Sequence, residues 1–195
     1  MSKNSLIKII NQFKDKKIGV IGDLILDKFV FGSVLRISPE APIPVVLINH
    51  EAYKLGGSAN TANNIKALGA KVSLVGVIGD DSEGKIFLSQ LKENNIGENG
   101  IFFSGIRPTS LKTRIIGKGQ QIVRIDRENT EIINKKEEAT AIKFISDNFK
   151  HWDGAIISDY GKGFITEKIA KEIISLSKKY KKPVIGDIKP ALHTD

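Results

Sequence analysis

The chain has 195 residues, no cysteine and a formal net charge of +8 at pH 7. Its length supports one good hydrophobic core plus a small appendage, and the lack of cysteine excludes disulfides, thiolate catalysis and Cys-ligated metals, in keeping with a cytoplasmic location. The positive charge suits phosphorylated metabolites better than nucleic acid or a membrane surface, because the lysines are scattered and the densest run, Lys178, Lys179, Lys181 and Lys182, closes a predicted helix whose dipole cations complement.

Leu6, Ile9, Ile10 and Phe13 recur at helical spacing, so residues 4–14 read as an amphipathic helix docking on the domain. A membrane anchor is the weaker reading: this face is short and lacks Trp, and no apolar run in the chain approaches the roughly 20 residues that span a bilayer. Lys17 to Gly22 is a short apolar strand closed by a turn at Asp23, with Asp27 four residues further on. Residues 28–55 alternate with period two, as in Phe29-Val30-Phe31 and Pro44 to Ile48. Pro39, Pro42 and Pro44 bar a helix there and suit an edge strand or a lid. Gly56 and Gly57 then open an apolar-periodic helix over 57–69. Glycine lets backbone approach a ligand closely, and Asn60 offers both a donor and an acceptor to hydroxyl groups, so the segment reads as a sugar grip, with a packing turn as the alternative.

Apolar strands at 72–78, 154–158 and 183–187 alternate with helical patterns at 82–94, 135–149 and 166–180. With the strand at 17–22 they predict a parallel sheet flanked by helices. A second extended region, 110–127, joins 28–55 in a small separate sheet. Gly79 to Lys85 satisfies most of a P-loop pattern, but Ile86 stands where magnesium needs a hydroxyl, and Asp80, Asp81 and Glu83 would repel phosphate. A helix start with acidic residues at the positive dipole end explains it better. Arg36, Lys112, Arg114, Gln121 and Arg124 lie on the strands of this second sheet, where period-two alternation by itself would put charged residues on the wet face. Asp159 and Lys162, and Asp187 and Lys189, lie at the carboxyl ends of the strands at 154–158 and 183–187, where open α/β sheets bind ligands; helix caps and loop charges are the alternatives. His50, His151 and His193 show no metal-ligand spacing, and Trp152 is expected to anchor a helix-to-strand junction.

Five segments carry a resemblance to a known family. They are Gly22-Asp23-Leu24-Ile25-Leu26-Asp27-Lys28-Phe29, Arg36-Ile37-Ser38-Pro39-Glu40-Ala41-Pro42, Gly56-Gly57-Ser58-Ala59-Asn60, Gln120-Gln121-Ile122-Val123-Arg124-Ile125-Asp126 and Ser158-Asp159-Tyr160-Gly161-Lys162-Gly163. Together they resemble the ribokinase-like (PfkB) sugar kinases, and within that family the kinases of D-glycero-D-manno-heptose 7-phosphate. The resemblance implies a three-layer α/β sandwich with a parallel central sheet and a small β lid, built from 28–55 and 110–127. It also implies transfer of the ATP γ-phosphate, with Mg2+, to the anomeric hydroxyl of the heptose phosphate, in the service of ADP-heptose and lipopolysaccharide core synthesis. Partners would be the sugar phosphate, the nucleotide and a second copy of the chain across the lid.

By residue, the resemblance makes Asp27 the substrate aspartate, with Gly56, Gly57 and Asn60 beside it and Asp23 either on the substrate or closing the turn. It sets Arg36, with Lys112, Arg114, Gln121 and Arg124, toward the sugar phosphate. Lys162 and Lys189 become candidates for nucleotide phosphates, and Asp159 and Asp187 stand on the same rim. Close relatives prefer Asp-Pro-Lys where this chain has Asp187-Ile188-Lys189-Pro190. The family's Gly-Ala-Gly-Asp-like segment, which carries the catalytic base and anion hole, has no counterpart in residues 1–195. The chain is therefore expected to be the N-terminal portion of a kinase domain, inactive alone. Another sugar kinase, or a non-catalytic sugar-phosphate-binding or dimerisation module, are the alternatives.

Overall fold

Two sheets organise the computed structural model, which describes residues 3–188. The larger consists of β1 (Lys17–Gly22), β4 (Lys71–Gly79), β5 (Ile101–Ser104), β8 (Gly154–Asp159) and β9 (Val184–Ile188), in the order β5-β4-β1-β8-β9 with every pair parallel. Neighbouring residues of these strands point to opposite faces. Ile21, Val75 and Ile157 pack with Ile145 and Phe149 of α4 (Lys135–Phe149) and Ile169 and Ile173 of α5 (Glu167–Tyr180). Val20, Leu74 and Ile78 pack instead with Ala59 and Ala62 of α2 (Ser58–Ala67) and Phe87 and Leu91 of α3 (Ser82–Glu93). The result is a three-layer α/β/α sandwich, as the alternation of patterns anticipates.

The second sheet is the lid. It comprises β2 (Leu24–Ile37), β3 (Pro44–Gly57), β6 (Ser110–Gly117) and β7 (Gln120–Arg127), ordered β3-β2-β6-β7. β2 and β6 run parallel, and the two outer pairs are antiparallel. Lys118 and Gly119, both with positive φ, close the β6–β7 hairpin, as two-residue hairpin turns require. The lid begins earlier than its sequence pattern suggests, because β2 starts at Leu24 with only Asp23 separating it from β1. Leu24, Leu26 and Leu55 at the lid's base belong to the main core, so the lid grows out of the sandwich.

Three local outcomes bear on the sequence reading. The helix at α1 (Lys3–Asn11) forms, but Leu6, Ile9 and Ile10 stay 41–55% exposed, so it does not dock its apolar face on the domain as expected. Among the described residues no surface covers that face. The P-loop-like segment is a helix start: Asp81 caps α3 by accepting the N–H of Gly84 at 2.8 Å and also takes the N–H and hydroxyl of Thr109. Trp152 is buried against Phe149 at the junction between α4 and β8, in the anchoring role expected of it.

Candidate functional site

Asp23 is the hinge between the two sheets. Its side chain is 2% exposed and accepts the backbone N–H groups of Tyr160 at 2.7 Å, Lys162 at 3.0 Å and Phe164 at 3.2 Å. Its backbone N–H donates to the Ser158 carbonyl, and its carbonyl accepts the N–H of Ser58. Burial pushes its pKa up against the three N–H donors, which pull it down. These bonds give Asp23 the turn-closing contact that the sequence offered as one of its two roles: the carboxylate holds the loop after β8. That loop carries Gly161 and Gly163 at positive φ on either side of Lys162. A Cβ on Gly163 would stand 2.0 Å from the Glu131 carbonyl.

Period two and the lid register gather charge on one face. Asp27 lies across from Lys54 on one side and Lys112 on the other, Lys112 from Asp126, and Arg114 from Arg124. Arg114 Nη1 donates to Asp27 Oδ1 at 2.5 Å. The Phe29 ring floors the group, with the Arg114 guanidinium 5.3 Å and Lys54 Nζ 5.4 Å from its centroid, within cation–π range. Gly56 makes room for the aspartate: a Cβ there would sit 2.5 Å from Asp27 Oδ2. Gly57 (φ 56°, ψ −136°) turns the strand into α2 without a side-chain cap, and Asn60 stands exposed in the first turn.

The structure thus brings together Asp27, Gly56, Lys112 and Arg114, with Arg124 and Lys162 joined on by ion pairs, while Gly57 and Asn60 follow Gly56 along the chain at the start of α2. It does not bring Arg36 to them. Arg36 is exposed nine residues along β2 from Asp27, about 30 Å of strand at ~3.3 Å per residue. Gln121 is likewise exposed near the hairpin tip, opposite Ile116. Asp159 accepts the Gly161 N–H at 2.8 Å, and Asp187 is exposed beside Ser158 in the sheet. Lys189 and His193 lie outside the described residues. Two charged residues escaped the sequence reading. Lys54 has period-two spacing to Gly56 as its signal, but its place beside Asp27 needs the strand register. Glu128 follows β7 and meets both Lys112 and Lys162. No sequence pattern marks it.

No group of three or more His, Asp or Glu side chains able to hold a metal occurs among the described residues. Asp159 and Asp187 stand at the carboxyl ends of β8 and β9, and the register that sets Ser158 beside Asp187 and Asp159 beside Ile188 puts the two carboxylates on opposite faces of the sheet.

Residues 16–193 match the model of the pfkB family of carbohydrate kinases. The chain belongs to that family. Among curated relatives, the bifunctional protein HldE of Helicobacter pylori (strain J99) is 46% identical over 174 residues, 89% of this chain and 38% of that protein. HldE of Syntrophotalea carbinolica is 38% identical over 189 residues, 97% of this chain and 39% of that protein. The chain therefore spans less than half the length of these relatives. Among solved structures, a carbohydrate kinase from Agrobacterium tumefaciens superposes with a TM-score of 0.65 at 17% identity, covering 88% of this chain and 53% of that one. Arabidopsis thaliana ribokinase, solved with ribose and ATP, gives 0.61 at 17%, covering 90% and 54%. The fold of this pfkB member is ribokinase-like.

Proposed function

We propose that the chain is the sugar-binding, lid-bearing part of an ATP-dependent kinase acting on D-glycero-D-manno-heptose 7-phosphate in the cytoplasm, within ADP-heptose synthesis. The observation that carries the reading is the charged lid face, where Asp27 stands beside the Gly56–Gly57 grip, ringed by Lys54, Lys112 and Arg114. A carboxylate accepts hydrogen bonds from two sugar hydroxyls, whereas the two lysines suit a substrate that carries a phosphate of its own. The motif resemblance and the identity to HldE proteins point the same way.

In this reading Arg114 orients Asp27, and Asp27 with Asn60 holds the sugar. Lys54 and Lys112 take its phosphate, and the lid excludes water. Lys162 faces the nucleotide side of the rim. Bound magnesium would neutralise charge on the phosphates of ATP. The catalytic base is assigned to none of the carboxylates above, since the resemblance puts it in a Gly-Ala-Gly-Asp-like segment that has no counterpart in residues 1–195. A homodimer through the apolar face of the lid completes the proposal. That face carries Val30, Val46, Ile48, Ile115 and Val123 around one groove.

Calorimetric titration tests the substrate. Heptose 7-phosphate is expected to bind at least about tenfold more tightly than unphosphorylated heptose, one charge-assisted contact being enough for that. It should also bind more tightly than ribose or fructose 6-phosphate. Tighter binding of either of those two would assign the chain to another sugar kinase.

A further inference from the structure

Arg124, Asp126, Lys112, Glu128 and Lys162 form one unbroken line of ion pairs. Arg124 Nε lies 2.9 Å from Asp126 Oδ1, and Lys112 Nζ lies 2.9 Å from Asp126 Oδ2 and 3.4 Å from Glu128 Oε2. Lys162 Nζ lies 2.6 Å from Glu128 Oε1. Arg124, Asp126 and Lys112 belong to the lid, whereas Lys162 belongs to the rim loop that Asp23 pins from below. The line crosses from one sheet to the other at a single carboxylate.

Glu128 differs from an ordinary surface partner in two respects. Its side chain is 21% exposed and those of Lys112 and Lys162 are 17% and 16%, so these contacts are less screened than exposed pairs. Its two oxygens also serve two ammonium groups from separate substructures; without it Lys112 would keep Asp126, while Lys162 would lose its ion pair and the bridge to the lid. Burial acts to raise its pKa, but the hydrogen bond from Lys162 and the charges of Lys112 and Lys162 prevail and hold it below the usual glutamate value.

We infer that Glu128 is an internal anion that latches the lid to the rim through Lys112 and Lys162, and that the phosphoryl group of a ligand is the anion these two lysines accept in its place. A phosphate offers the same feature, oxygens a short distance apart carrying negative charge, and can bridge the same two ammonium groups. Only the identity of the ligand rests on the sugar-phosphate reading; the latch rests on the ion pairs. Glu128 is accordingly a positioning residue, setting where the two cations wait.

Hydrogen–deuterium exchange on the 195-residue chain tests this, with inorganic phosphate as the probe. Glu128→Gln should speed amide exchange together in β6, β7 and residues 159–164, by about three- to tenfold for a partly buried charged contact. Phosphate should restore protection in that variant where chloride at equal ionic strength does not. Lys162→Met should loosen the same segments yet show no rescue, because one of the two cations is gone. A merely structural glutamate would give loosening without phosphate rescue. Unchanged exchange, equal rescue by chloride, or rescue of Lys162→Met would each overturn the inference. Should Glu128→Gln fail to fold, Lys162→Met still decides the latch, since unchanged exchange there sinks it. A failed heptose titration beside a positive rescue would leave the lysine pair as a phosphate site for a different ligand.

Discussion

Asp27 gathers more of the proposed site than any other residue, and its setting makes two substitutions informative. Asp27→Ala removes charged hydrogen bonds to the sugar and leaves Arg114 half-buried without its partner. Affinity for heptose and for its 7-phosphate should fall alike, by about 10- to 100-fold, equivalent to about 1.5–3 kcal/mol. Gly56→Ala should weaken both ligands in the same direction, because its Cβ would meet Asp27 Oδ2 at 2.5 Å and turn the carboxylate away. Its stability should suffer less than that of Gly57→Ala, which adds a Cβ at φ 56° against the Asp23 carbonyl, at about 1–2 kcal/mol for the backbone alone. Calorimetry and urea unfolding on the two variants separate the effects. Wild-type affinity in Gly56→Ala would show that Asp27 is not the grip. Asp27, and the pair Gly56 and Gly57, stood out in the sequence from two separate motifs, and the pairing of β2 with β3 brings them together. Arg36 and Lys54 were not, since both are cations on lid strands, and only the register sets one beside Asp27 and the other about 30 Å of strand away.

At the scale of elements, acid should loosen the joints between lid and sandwich. At Asp81 and Glu83 burial acts upward, but hydrogen bonds from Thr109 and Gly84 to Asp81, and from Arg127 and Ser82 to Glu83, bring both below their ordinary values of 3.8 and 4.5. Asp126 is lowered too, where Lys112 and Arg124 outweigh burial. A carboxylate with a depressed folded pKa contributes stability above its unfolded value and loses it as pH falls through the folded one. Asp23 has the opposite sign: its raised value weakens stability as pH climbs from 3.8 through the folded pKa. These three lowered groups and Glu128, four in and around the lid joints, outnumber it. The melting temperature should therefore hold from pH 7 to about 5 and drop steeply below about 4. Arg127, 2.6 Å from Glu83 and 3.8 Å from Asp81, ties β7 to the start of α3. Arg127→Met should flatten the acid limb, and an unchanged slope would remove the joint from the account. Helix starts of this kind were readable from Asp81, because capping is local. The four-residue strand β5 was not, since Ile101–Ser104 is too short for periodicity and forms by pairing with β4.

For the whole molecule, the lid presents opposite chemistry on its two faces. One carries Asp27 and the cations, while the other exposes Ile48 at 57%, Val123 at 46% and Ile125 at 57% beside a groove floored by Val30. A small sheet with an exposed apolar face is marginal in water, so a second copy is expected to cover it. Sedimentation velocity at high micromolar concentration should find a dimer, and Ile48→Asp or Val123→Asp should give a folded monomer. A monodisperse wild-type monomer would refute the pairing. The sequence by itself determined the alternation of strands and helices, the parallel sheet, the second extended region that forms the lid and the glycine pair that opens a helix. These follow from side-chain periodicity and from the backbone limits of Pro and Gly, both set by neighbours along the chain. Only the tertiary structure decided that Asp23 holds a loop, that Lys54 joins Asp27, that Arg36 lies far from it and that Glu128 bridges lid and rim. Charged side chains look alike in a sequence, and what each does depends on which opposite charge the strand register and the packing of two sheets bring within about 3 Å.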